Sequence, residues 1–345
     1  MDSLTQFVLG SAIQGVGMGK YQGRKALLYG GLLGTLPDLD VFIRYADPIS
    51  SMTYHRGFSH SIFLLTALAF LITWVTFKRK SHLPFTFRRL FLTLTLALVT
   101  HPIIDAMTVY GTQLFWPLPF EPITFSTVFV IDPIYTLPLV FTCIWAYWKK
   151  MDSRSVRAMS IALIFGCMYF VIGFVGRSYH EQRIENMLTQ KGIEVDKVLA
   201  TPTPFNTILW RVLAIDKQGN LYDAMSGWLD NGSPEFIKIP LNLELKAKII
   251  ADSPQLQRFE WFTDHWIHYE QISNQLVASD TRMGLAGQFN FRFVVAEKHN
   301  QEWKAILPTE YPTATHNLNK AILAKFWQRI WSDDKPLPLE EWARL

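Results

Sequence analysis

The sequence predicts an α-helical membrane domain of four to six helices, residues 1–176, followed by a soluble α+β domain, residues 177–345. Two contrasts carry that reading. The first 176 residues hold 14 Lys+Arg and 8 Asp+Glu set between long apolar runs, whereas the remainder holds 19 and 21, mixed through amphipathic sequence. Within the first part, basic and acidic residues also alternate between successive loops, as they do when loops face opposite sides of a bilayer.

About 20 apolar residues span a hydrocarbon core. Residues 61–77 and 158–176 are uncharged throughout; residues 90–107 are apolar apart from His101 and Asp105, and residues 128–148 apart from Asp132. The earlier stretches, 4–19 and 26–36, are short and rich in glycine. They read either as thin spans or as a re-entrant pair packed closely through small residues. Beyond Arg177, residues 207–215 and 220–228 alternate like the strands of a hairpin, and residues 289–297 and 303–307 form a second pair. Residues 243–251 and 318–331 have helical spacing, as do His265 and His268, which read as a helix face packed on the sheet.

The loops set the orientation. Lys20, Arg24 and Lys25, the run from Lys78 to Arg89, and the run from Lys149 to Arg157 hold 12 of the 14 basic residues in three alternate loops. The positive-inside rule places those loops in the cytoplasm. Asp2, Asp38, Asp40, Asp47, Asp105, Glu121 and Asp132 then lie on the outer side with His55, His60 and His101. The expected location is the inner membrane, multi-pass, with the polar cluster and the soluble domain extracytoplasmic. The N-terminus does not read as a cleavable signal peptide, because Asp2 stands where a basic start would be.

A formal charge of +4 without a basic stripe argues against nucleic acid as a partner. Cys143 and Cys167 sit inside apolar runs and read as small core residues. The lipid bilayer is the expected partner, and nothing in the composition sets an oligomeric state.

Three clusters can carry chemistry. Pro37 stops the preceding stretch and presents Asp38 and Asp40 at its tip. Ahead of the span at 61–77, His55 and His60 flank Arg56 and Gly57: imidazole is a frequent metal ligand, guanidinium is a planar fork for phosphate or carboxylate, and glycine permits a close turn. His101 and Asp105, four residues apart, project from one helix face. Ionisable groups inside a membrane helix are expensive unless they face an ion or a polar interior. Asp132 before Pro133 either caps its helix or completes the site. Together these residues supply hard and borderline donors for one or two divalent ions, zinc first, with manganese or iron as alternatives.

The runs Met1-Asp2-Ser3-Leu4-Thr5-Gln6, Gly34-Thr35-Leu36-Pro37-Asp38-Leu39-Asp40, His55-Arg56-Gly57-Phe58-Ser59-His60-Ser61 and His101-Pro102-Ile103-Ile104-Asp105 resemble the bacterial membrane-bound metal-dependent hydrolases of the YdjM type. Residues 111–117 and 131–133 are similar to further segments of that family. The resemblance implies a metal site drawn from Asp38, Asp40, His55, His60, His101 and Asp105, with Asp2 as an addition. Many relatives have His where this chain has Gln6, which leaves that position either one ligand fewer or a support to the ligands. A distant likeness to zinc-dependent phospholipases C implies phosphoester substrates.

The function expected is therefore hydrolysis of a lipid-linked or membrane-proximal phosphoester. Asp38, His55, His60, His101 and Asp105, with Asp2, are the expected metal ligands. Asp40 or Asp132 would orient or deprotonate the attacking water, and Arg56 would bind the substrate's negative charge. A metal transporter would use the same ligands but needs an ionisable path across the bilayer; a non-catalytic membrane scaffold would need only the His–Asp pairs.

Overall fold

The computed structural model describes residues 1–80, 82–247, 249–300, 302–312 and 320–343. They divide into two compact units, one of Met1–Ile43, Tyr54–Gly173 and Pro204–Asn206, the other of Arg44–Thr53, Phe174–Thr203 and Thr207–Leu345. The boundary expected at 176/177 falls within one long helix.

The first unit is helical. Helices α1 (Ser3–Gln22) and α2 (Lys25–Thr35) pack against each other through glycine: a Cβ on Gly10 would stand 2.2 Å from the Gly30 carbonyl oxygen. A 3-10 turn, Leu36–Phe42, follows α2 with Pro37 in its first turn. After the short α3 (Pro48–Tyr54), nearly all of which belongs to the second unit, come α4 (Ile62–Arg79), α5 (Phe87–Ala106), α6 (Pro133–Trp148) and α7 (Ser153–Gln190), whose residues from Phe174 onward belong to the second unit. Among the described residues, α4, α5 and α7 are long and apolar enough to cross a membrane. Their outward residues are apolar, as in Leu71, Trp74, Leu96, Ile161 and Ile172, which suits lipid rather than water.

Two helix bounds differ from the sequence reading, each for a local reason. The α6 helix begins at Pro133, not at 128, because Asp132 caps it: its Oδ1 accepts from the backbone N–H groups of Ile134 and Tyr135 at 2.9 and 3.3 Å. The apolar run of α7 stops at Arg177, but the helix continues to Gln190. Arg177 and Glu181 pair at 2.7 Å one turn apart, and Ile184 and Leu188 bury against a sheet.

The second unit holds two antiparallel four-stranded sheets. The first runs β1 (Val195–Pro202), β2 (Leu209–Asp216), β3 (Asn220–Gly227), β4 (Phe236–Pro240). Every residue of β2 is buried, because both faces are covered. Trp210, Val212 and Ala214 face Ile184 and Leu188 of α7, whereas Leu209 packs with Ile330, Leu337 and Trp342. Arg211, on that second face, is paired with Asp223 at 2.8 Å. Between the sheets in sequence lie α8 (Leu243–Lys246), a 3-10 turn at Ile250–Asp252, and α9 (Pro254–Phe262). Where one helix was expected over 243–251, the chain therefore forms only a short one; residue 248 lies outside the described set.

The second sheet has the order β10 (Glu302–Glu310), β9 (Arg292–His299), β6 (Gln275–Asp280), β5 (Ile267–Ile272). A two-residue ladder, β7 (Gly284–Leu285) with β8 (Gln288–Phe289), lies beside it in sequence. Helices α10 (Lys320–Trp331) and α11 (Leu339–Ala343) end the chain; residues 318–319 of the expected helix lie outside the described set. His265 and His268 do not share a helix face. His268 is on β5, and His265 follows α9 with its Nδ1 on the Glu260 carboxylate.

Candidate metal centre

Four side chains from three parts of the first unit meet at one point: Asp38 of the first 3-10 turn, His60 ahead of α4, and His101 and Asp105 of α5. One ligand atom from each lies within 4.8 Å of the other three. The Nε2 atoms of the two histidines are 3.2 Å apart. Asp38 Oδ1 lies 3.6 Å from His60 Nε2 and 3.2 Å from His101 Nε2; Asp105 Oδ2 lies 3.2 and 3.6 Å from the same atoms. Ligands about 2.0–2.1 Å from a tetrahedral zinc ion stand about 3.3 Å apart, so five of the six separations suit a four-coordinate ion.

Hydrogen bonds fix which nitrogen of each ring faces the centre. His101 Nδ1 lies 2.5 Å from the carbonyl oxygen of Gly34. A carbonyl only accepts, so Nδ1 carries the proton and Nε2 presents a lone pair. Gly34 is free to accept because it sits in the last turn of α2, where carbonyls lack helical partners. On His60, Nδ1 lies 2.9 Å from Ser59 Oγ, whose own proton goes to Asp40 Oδ2 at 2.5 Å. Ser59 thus accepts from His60 Nδ1, which leaves Nε2 as the nitrogen that would present a lone pair once a cation displaces its proton. Two imidazole nitrogens and two carboxylate oxygens converge, and a cation is the natural occupant of such a donor set.

Asp105 is held on its other side. Gln6 Nε2 donates to Oδ1 at 3.0 Å, and the Met1 amino group also reaches Oδ1. Arg56 Nε lies 3.1 Å from Oδ2, and its guanidinium sits 4.7 Å from the Tyr110 ring centroid. Oδ2 nevertheless accepts no hydrogen bond of normal geometry, although it is fully buried. A buried carboxylate oxygen left this way is costly, and a metal ion would satisfy it.

Asp40 supports the loop rather than joining the four. It accepts from His55 Nδ1 at 2.8 Å, from the Arg56 backbone N–H at 3.2 Å and from Ser59. Burial pushes its carboxyl up, but the bonds from His55 and Ser59 outweigh burial and hold it below the usual carboxylate range. Asp38 is likewise pushed up by burial and drawn below that range by His101 and His60. Burial pulls His60 down, but the Asp105 and Asp38 carboxylates outweigh it and raise its imidazole above the ordinary value.

The 55–61 turn follows from its residues. Arg56 takes the left-handed conformation, with φ 61°, while Gly57 adopts φ −90° and ψ −115°, where a Cβ would stand 2.8 Å from the Tyr54 carbonyl oxygen. Residues 111–117 back the turn: the Gln113 backbone N–H donates to Arg56 O at 3.0 Å, and Ser61 Oγ donates to Trp116 O at 2.6 Å.

Of the candidates named from sequence, the structure gathers Asp38, His60, His101 and Asp105, with Asp40, His55 and Arg56 in contact around them. His55 lies outside the four, with its ring 5.7 Å from that of His60. Asp2 and Asp132 stand apart as helix caps. Asp2 accepts from the backbone of Leu4 and Thr5, and Asp132 also accepts from Tyr169 Oη at 2.8 Å. The sequence motifs do not single out Ser59, Tyr110 or the Gly34 carbonyl. Ser59 carries one signal, its position beside His60; a backbone carbonyl carries none.

The uncharacterized protein YfhP of Bacillus subtilis (strain 168) is 22% identical to this chain over 210 residues, 59% of this chain and 62% of its own length. The chain thus spans less than two thirds of that relative. No solved structure matches. Residues 1–179, which include every residue of the cluster, match the YdjM inner membrane proteins, and the chain belongs to that family.

Proposed function

We propose that the chain is a metal-dependent hydrolase of the inner membrane, whose centre is Asp38, His60, His101 and Asp105 and whose substrate is a lipid-linked or membrane-proximal phosphoester at the outer face. The single observation that carries this reading is the convergence of both imidazole Nε2 atoms on the two carboxylates, each ring held by a hydrogen bond at its Nδ1. The four side chains would hold one divalent ion, zinc by the donor set, which would supply a Lewis acid and, where a water joins as a further ligand on the exposed Asp38 side, would lower the pKa of that water to about 7.

The chain's own groups have separate tasks. Gly34 and Ser59 fix the two tautomers, and Gln6 and Arg56 steady Asp105. Of the four ligands only Asp38 is partly exposed, at 26% of its side chain, so substrate would approach from the Asp38 side. His55, also partly exposed at 27% and hydrogen-bonded to Asp40, is placed to exchange a proton with water or a leaving group on that side. Arg56, turned onto Asp105, balances the charge of the cluster.

Transport is disfavoured by the helices themselves. From Leu90 to Thr100, α5 carries no ionisable residue, and residues 62–77 of α4 carry none, so neither of these helices offers a charged path away from the cluster. The test is hydrolysis of a chromogenic phosphodiester by the purified protein in detergent. Activity should be abolished by a chelator and by Asp38→Asn and restored to the wild type by zinc. Activity indifferent to both would refute the reading.

A further inference from the structure

The opposite end of α5 carries a second feature, independent of the metal centre. An open recess of about 520 Å³ lies between the end of α1 and the start of α5, lined by Tyr21, Leu83, Phe85, Arg88, Arg89 and Leu92 among others. Arg89 and His101 are twelve residues apart on one helix, about 18 Å along its axis, so the recess and the cluster occupy different ends of the unit. Arg89 is fixed in place: its Nε donates to Gly17 O at 2.8 Å, and its guanidinium lies 5.1 Å from the Tyr21 ring centroid. Arg88 is exposed and forms no ion pair among the described residues. Lys20, Lys78, Arg79 and Lys80 stand nearby in sequence, whereas every acid of residues 1–176 except Asp152 belongs to the other end or its loops.

Two guanidinium groups at a recess whose remaining walls, apart from Thr86, are aromatic and aliphatic, where an apolar helix begins, call for an amphiphilic anion. We propose that this recess binds the headgroup phosphate of an anionic phospholipid of the phosphatidylglycerol type. Arg88 and Arg89 would meet the phosphodiester, and the acyl chains would run along Phe85 and Leu92 beside α5. A basic recess between helices at the membrane surface suits such a headgroup, and the planar guanidinium suits phosphate. A soluble anion would use the same arginines but would gain nothing from the apolar walls.

The test uses the full chain in detergent micelles, titrated with phosphatidylglycerol, phosphatidylcholine or inorganic phosphate and followed by native mass spectrometry and thermal unfolding. Phosphatidylglycerol should be retained in preference to phosphatidylcholine. Arg88→Gln, at an exposed position, should weaken that retention about fivefold, while Lys149→Gln, in another basic loop outside the recess, should leave it unchanged. Equal retention of both lipids, an equal loss in both variants, or displacement of phosphatidylglycerol by inorganic phosphate would overturn the proposal.

Discussion

His101 Nδ1 meets the carbonyl oxygen of Gly34 at 2.5 Å, and this bond joins the last turn of α2 to the ligand face of α5. The backbone of one helix thereby sets the tautomer of a ligand on another. The position of α2 in turn depends on glycine. Gly10→Ala would drive a methyl group to 2.2 Å from Gly30 O, against backbone that cannot swing aside. Overpacking of this kind costs about 1–3 kcal/mol, and thermal unfolding in detergent should register a lower midpoint. A midpoint equal to the wild type would mean that α1 and α2 are not packed this closely.

Gln6 donates to Asp105 but is not one of the four ligands. Gln6→Leu keeps most of the volume and removes the donor, and loss of such a supporting bond weakens metal binding about 10- to 100-fold. Competition with a chromophoric chelator measures it. Affinity unchanged from wild type would show that Asp105 needs no support from α1.

Asp132 is a cap, anchored to Ile134, Tyr135 and Tyr169. Asp132→Ala should cost about 0.5–2 kcal/mol of stability and leave metal content at the wild-type level. Loss of metal at unchanged stability would place Asp132 in the chemistry instead.

His180, buried beside Ser226, titrates far below its ordinary range: burial, helped by the Arg183 charge, pushes it down to about 3. Between pH 6.5 and that value the unfolded chain binds a proton that the folded chain refuses. Stability of the second unit should therefore be full above pH 6.5 and fall as pH drops below it, by at most about 1.4 kcal/mol per pH unit from this residue. In His180→Gln the slope should be shallower by that amount, as followed by tryptophan fluorescence during denaturant titration. An unchanged slope would mean that His180 is protonated in the fold.

Much of this arrangement is legible in the sequence, for identifiable reasons. The spans at 61–77 and 90–107 announce themselves because lipid tolerates few charges, and His101 and Asp105 stand out against that background. The hairpin at 207–228 shows because its turn residues interrupt two alternating runs. Element ends are set by more distant contacts: the extension of α7 past Arg177 depends on burial of Ile184 and Leu188 against a sheet that lies later in the chain. The same holds for His268, whose spacing from His265 looks helical until β6 pairs with it. Within the site, side-chain identity exposed the ligands, but nothing local could reveal the Gly34 carbonyl, since every residue but proline offers the same backbone groups.

The most direct test is the metal content of the purified full-length protein, measured by elemental mass spectrometry beside His101→Ala and Asp105→Ala variants confirmed to be folded. About one divalent transition-metal ion per wild-type chain, lost from both variants, is the expected result. Equal metal in all three proteins, or none in any, would contradict a metal centre at these residues.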